Sequence, residues 1–197
     1  MAEAREQKTV DGDGGGAAGG AFVPDGEVVT YADGGRVAQR ATFKAGVLEG
    51  LTTMYDEEGE VSQRVTFKGG LMDGPAVVYS KGAVLASSGY RAGKLEGESV
   101  TYGEDGRPVM RAPYAAGKLD GLAVWYDKEG RVIKRAQYSA GRLEGYTVEY
   151  YPSGRVRVRA QFAADKLEGE SAEFAEDGRL VKRATFVAGK EQKGAAA

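Results

Sequence analysis

The chain has 197 residues, 28% of them charged, with a formal net charge of −2 that supplies no bulk field toward nucleic acid or anionic lipid. It contains no Cys and no His, which excludes disulfides, thiol nucleophiles, Cys-ligated zinc, a Ser-His-Asp triad and any His-dependent metal site or general base. With 31 Gly and only 5 Pro, it has the makings of many tight turns between short elements.

Residues 1–20, MAEAREQKTVDGDGGGAAGG, lack the apolar core of a signal peptide and read as a disordered, Gly-rich lead. Asp11-Gly12-Asp13-Gly14 has the opening of a Ca²⁺ loop but neither the remaining ligands nor the closing Glu. No apolar run approaches the ~18 residues of a membrane span. The expected location is cytoplasmic, or periplasmic if an export signal has been removed.

From residue 21 to 190 one unit repeats. A degenerate copy closes at Asp25-Gly26, and later copies close on Gly-x-Leu-acid-Gly or a near variant. The closing glycine falls at Gly50, Gly74, Gly97, Gly121, Gly145 and Gly169, in steps of 24, 23, 24, 24 and 24 residues. A last copy trails off after Gly189, and residues 191–197 form a tail. A fixed period of this length marks a repeat array, which presents a surface more often than it builds a catalytic pocket.

Within each unit a first strand carries an aromatic: Tyr31, Tyr55, Tyr79, Tyr102, Tyr126, Tyr150 or Phe174. A turn such as Asp-Lys-Glu-Gly or Pro-Ser-Gly follows, with glycine at the residue that needs positive φ. A second strand then carries Phe43, Phe67, Tyr90, Tyr114, Tyr138, Phe162 or Phe186. Apolar and polar residues alternate through both halves, which is strand periodicity. On that alternation Val124 and Tyr126 share one face of the first strand, and Val132, Ala136 and Tyr138 share one face of the second. The expected fold is all-β: a single elongated, twisted antiparallel meander of about seven stacked β-hairpin repeats. The unit Leu residues (Leu95, Leu119, Leu143, Leu167) are expected to fold back onto the aromatic rows.

This unit, with its two aromatics in register and its Gly-x-Leu-acid-Gly close, resembles the MORN repeat. It is most similar to the bacterial variant of YwqK-type antitoxin-like proteins. The resemblance covers residues 26 to about 190. It implies a twisted sheet of hairpins, no intrinsic catalysis, no cofactor, and binding of protein or phospholipid, in bacteria with the neutralisation of a toxin. The repeat positions carry structure, so no active site transfers with them.

Three features bear on binding. An Arg column (Arg40, Arg64, Arg111, Arg135, Arg159, Arg183) stands three residues before the second aromatic, and alternation places it opposite the aromatics. It reads either as a basic stripe for an acidic partner or lipid phosphates, or as a solvated ladder paired with Glu such as Glu149 and Glu173. An acidic column (Glu49, Asp73, Glu96, Asp120, Glu144, Glu168) recurs once per unit and reads as part of the turn rather than as paired catalytic carboxylates. Third, on the supposed Arg side, Val78, Leu85, Val109, Trp125 and Ile133 stand where other units carry Thr30, Ala38, Ser62, Glu149 and Arg157, with Met54 and Val181 as exceptions.

These five apolar residues, rimmed by Arg111 and Arg135, form the candidate partner-binding patch, since Trp and Arg are the side chains of binding hot spots. A protein partner, a second copy of the chain, or an intrachain cover would each account for it. The unit containing KGAVLASSGY is one residue short at its turn, and Pro108 and Pro113 follow it, as residues suited to edges or bulges. The expected function is a non-enzymatic immunity or antitoxin module with a toxin or effector as partner. A phospholipid-associated scaffold is the alternative, and nucleic acid is not expected.

Overall fold

A computed structural model describes residues 25–192, so the Gly-rich lead and all but two residues of the tail lie outside the described residues. The described residues contain no helix. They divide into two compact units that meet at Lys94 and Leu95. The first holds β1 (Gly26–Tyr31), β2 (Val37–Lys44), β3 (Val47–Leu48), β4 (Gly50–Tyr55), β5 (Val61–Lys68), β6 (Leu71–Ser80) and β7 (Ala83–Arg91). A short β8 (Lys94–Leu95) lies at the boundary. The second holds β9 (Gly97–Tyr102), β10 (Pro108–Ala115), β11 (Lys118–Leu119), β12 (Gly121–Tyr126), β13 (Val132–Ser139), β14 (Arg142–Tyr150), β15 (Val156–Ala163), β16 (Lys166–Phe174), β17 (Leu180–Val187) and β18 (Lys190–Gln192). In each, neighbouring strands pair antiparallel, β2 with both β3 and β4 and β10 with both β11 and β12, so the all-β hairpin meander is as the period requires.

Residues directly paired in an antiparallel ladder share a face, and successive residues alternate. In the second unit Arg111, Val124, Arg135, Val148, Arg159, Ala172 and Arg183 make one row across the strands. The next row, Met110, Trp125, Lys134, Glu149, Val158, Glu173 and Lys182, points the other way. These rows define an arginine face and a tryptophan face. The tryptophan face also carries the ladder of small residues Ala123, Ala136, Thr147, Ala160, Ser171 and Ala184. Ala123 and Ala136 are completely buried, and Ala112 and Ala160 nearly so.

The two aromatic columns therefore serve different faces. Tyr126, Tyr150 and Phe174 alternate onto the arginine face, where the Arg135 guanidinium lies 5.7 Å from the Tyr150 ring. Tyr114, Tyr138, Phe162 and Phe186 stand on the tryptophan face. There each sits opposite a closing glycine: Tyr114 opposite Gly97, Tyr138 opposite Gly121, Phe162 opposite Gly145, Phe186 opposite Gly169. Tyr114, Tyr138 and Phe162 also pair with Leu119, Leu143 and Leu167 of the following turn. The expected Leu-on-aromatic pairing is thus built into the register.

The expectation that the Arg column opposes all the aromatics is corrected. It opposes the second column and shares a face with the first. The reason is a bulge in every hairpin. Trp125 pairs with Lys134 but Tyr126 pairs with Val132, so Ile133 is an extra residue, and Val132 joins Tyr126 instead of Ala136. The same extra residue is Ala38, Ser62, Leu85, Val109, Arg157 and Val181 in the other hairpins. Pro108 borders the bulge at Val109, where its missing N–H costs no ladder bond.

Consecutive repeats are joined by the acidic column. The turn at Ala140-Gly141 has φ of 49° and 89°, the doubly left-handed geometry of a two-residue hairpin turn. The Ala140 N–H donates to Asp120 Oδ2 at 3.1 Å, and the Gly141 N–H donates to the Leu119 carbonyl at 2.8 Å. Glu96, Glu144 and Glu168 accept in the same way from Ala116, Ala164 and Ala188. In the first unit Asp25, Glu49 and Asp73 accept from Ala45, Gly69 and Ala92. Each acid thus clamps the turn of the next repeat, with the carbonyl of the preceding Leu, or of Met72, as a second acceptor at the turns of Gly70, Gly93, Gly117, Gly141 and Gly189. The clamp satisfies a backbone donor and helps hold a non-glycine residue at positive φ, which otherwise costs ~1–3 kcal/mol. The turn role expected for the acidic column is what the hydrogen bonds show, extended across repeats.

At the opposite ends of the strands the Asp-x-x-Gly turns close by their own side chains. Asp127 Oδ1 accepts from the Glu129 and Arg131 N–H groups, and Arg131 Nε donates to Asp127 Oδ2 at 2.7 Å. In the short repeat this turn is replaced by Lys81-Gly82, with φ of 50° and 76°, so the missing residue is absorbed by a tighter turn.

Candidate partner-binding surface

The tryptophan face of the second unit gathers Trp125, Ile133, Lys134, Glu149 and Arg157. Lys134 Nζ lies 5.5 Å from the Trp125 ring centroid, the geometry of a cation–π contact. Glu149 Oε2 receives Arg157 at 2.6 Å, and Glu149 Oε1 lies 3.9 Å from Lys134 Nζ. The row Trp125–Lys134–Glu149–Arg157 is therefore one chain of contacts, cationic and anionic in turn. Beside it a depression of about 530 Å³ is lined by Ile133, Lys134, Glu149, Tyr150, Tyr151, Pro152 and Arg157. Its floor is mostly apolar, and Ile133 is 38% exposed at its rim.

Two facts explain this local arrangement. The bulge turns Ile133 and Arg157 toward the row that holds Lys134 and Glu149, which plain alternation would not do. Tyr151 stands where the turns at Asp56 and Asp127 carry their acid, and its hydroxyl donates to the Phe174 carbonyl at 2.9 Å. Tyr151, Pro152 and Lys134 were not singled out from the sequence. The available signal is the aromatic-Pro pair Tyr151-Pro152, which no other turn of the array carries.

The residues expected to form the patch fall out differently. Trp125, half-buried, and Ile133 share the tryptophan face. Val109 is the bulge residue one position before Met110, which pairs with Trp125. Val78 and Leu85 belong to the first unit, where Val78 is 38% exposed and pairs with Ala86 beside the Leu85 bulge. Arg111 and Arg135 are not a rim of this surface. They lie in the adjacent row, which points to the arginine face. Their partners differ as well. Arg111 pairs with Glu98 and Arg159 with Glu170, whereas Glu149 and Glu173 face the other way.

Among the described residues no group of three His, Cys, Asp or Glu could hold a metal ion. Desolvation pushes the pKa of the Asp127 carboxyl up, but the hydrogen bonds and charge of Arg131, with the Glu129 N–H, together outweigh it and hold the group below its usual value. It is a turn residue, and its partner is structural.

Residues 48–68, one repeat, match the family described as MORN repeat variant. No curated protein matches. Similar solved structures include a GtfA/B complex bound to UDP and GlcNAc, at 13% identity and a TM-score of 0.26, covering 56% of this chain and 22% of that one. Another is an S. aureus TarM mutant in complex with fondaparinux, alpha-GlcNAc-glycerol and UDP, at 10% identity and a TM-score of 0.20, covering 66% of this chain and 21% of that one. The chain spans about a fifth of the length of either, and scores this low carry no argument.

Proposed function

With a MORN-repeat chain as premise, we propose a non-enzymatic module that docks a protein partner on the tryptophan face of residues 95–192. Repeats of this type suggest a protein-binding or membrane-associated module. The observation that favours protein is Trp125 itself, the single Trp of the chain, flanked on one side by the Lys134–Glu149–Arg157 charges that border a depression. An aromatic anchor bordered by ion pairs is a feature of protein interfaces. The partner we propose is a bacterial toxin or secreted effector, neutralised by this chain as an immunity or antitoxin protein. The antitoxin part rests on the resemblance of the Gly-x-Leu-acid-Gly unit to YwqK-type repeats.

The test is capture of the neighbouring gene's product by the full chain, followed by titration. Trp125→Ala is expected to weaken binding on the order of 30-fold, the effect of losing an anchor of ~2 kcal/mol. Denaturant unfolding of the variant checks that the fold is kept. Unchanged affinity removes Trp125 from the interface. Binding to phospholipid vesicles with no protein captured replaces this reading with the scaffold one.

A further inference from the structure

The Arg column holds a second, separate feature, taken in each unit by itself. Four members of the Arg column have carboxylate partners: Arg40 with Glu27, Arg111 with Glu98, and Arg159 and Arg183 both with Glu170. Those acids come from one position, the residue after the closing glycine. Around Arg64 and Arg135 that position is occupied instead by Leu51, Pro75, Leu122 and Tyr146. Neither Arg64 nor Arg135 has a carboxylate partner among the described residues. Each is exposed and lies 5.7 Å from a tyrosine ring, Tyr79 for Arg64 and Tyr150 for Arg135. The leucines that replace the acids are themselves about half exposed, Leu51 at 53% and Leu122 at 46%, and so is Tyr146 at 51%.

The same substitution has thus occurred once in each unit, and it changes two things together. It frees a guanidinium, which against a ring still offers N–H donors around its edge. It also places an exposed aliphatic side chain one ladder step away. We propose that Arg135, and Arg64 in the first unit, are docking points for acidic side chains of a protein partner, each acid neighboured by an apolar residue that packs on Leu122 or Leu51. The proposal rests on the protein-binding reading above, but in the second unit it uses the face opposite Trp125. A protein carboxylate fits better than an anionic membrane. Membrane attraction needs clusters of several unpaired cations, whereas each free Arg here stands alone among ion pairs. Glu98 and Glu170 on the same face would oppose an anionic surface.

The experiment pans a random dodecapeptide phage library on the full chain and titrates the most enriched peptide. The expected consensus carries Asp or Glu next to Leu, Ile, Val or Phe. Joint Arg64→Gln and Arg135→Gln substitution weakens that peptide at least about tenfold. Joint Leu51→Glu and Leu122→Glu substitution does the same with thermal unfolding retained, because it recreates the Arg111–Glu98 pairing already present in the fold. Trp125→Ala leaves the peptide's affinity unchanged. A consensus without acid, or full affinity in the Leu→Glu variant, overturns the proposal. A peptide lost only with Trp125→Ala overturns it while sparing the preceding reading. Arginine-dependent binding to phosphatidylserine vesicles with no peptide enriched overturns it in favour of lipid.

Discussion

Thr52 is 1% exposed, and its hydroxyl, like that of Thr147, has no hydrogen-bond partner. It stands opposite the buried Val65, next in the row to Ala76, so a polar group has been desolvated without compensation. Thr52→Val keeps the shape and removes the hydroxyl. It should raise stability by about 1 kcal/mol in urea titrations, and a loss of stability would mean the hydroxyl is bonded. Tyr138 gives a second prediction at this scale. Burial, with Asp165 and Tyr114 nearby, raises its pKa above the usual tyrosine value. A raised folded pKa means the contribution is full below the unfolded pKa, about 10, and is lost as pH rises through the folded one. Wild type should therefore lose stability in alkali, and Tyr138→Phe, which cannot ionise, should lose less over the same range in thermal melts.

For the hairpin, the test falls on the clamp. Glu144→Ala removes the acceptor for the Ala164 N–H and should cost about 1 kcal/mol, with faster amide exchange at Ala164. Glu144→Gln, whose side-chain oxygen still accepts, should recover most of it. Equal losses in the two variants would show that charge rather than the hydrogen bond matters. The hairpins were legible in the sequence because glycine spacing and alternation are local. The faces were not. Alternation counted through Ile133 runs one residue out of phase, since the bulge consumes a residue without advancing the ladder. That slip set Arg111 and Arg135 beside Trp125, and it hid the pairing of Arg159 with Glu170 in favour of Glu173. The clamp was legible only as a turn acid. Its bond reaches a residue 20 positions away, which no local pattern announces.

Across the whole chain, the clamp makes each repeat an acceptor for the next and a donor to the one before, as Asp120 and Ala140 illustrate. Removing residues 122–145, one full 24-residue period, should leave every remaining acid facing a turn N–H. The shortened protein is expected to keep a β-type circular dichroism spectrum and cooperative unfolding, whereas removing residues 122–133 should abolish the cooperativity. The 23-residue repeat already tolerates a change, since Asp73 still reaches Ala92 at 19 residues once the intervening turn tightens. In hereditary terms, copies joined by such a rule are interchangeable parts. Unequal crossing-over between any two of them returns a foldable gene, so copy number can drift while single copies are edited. Trp125, Leu51 and Leu122 read as such edits, written into individual copies without disturbing the joint that holds the series together.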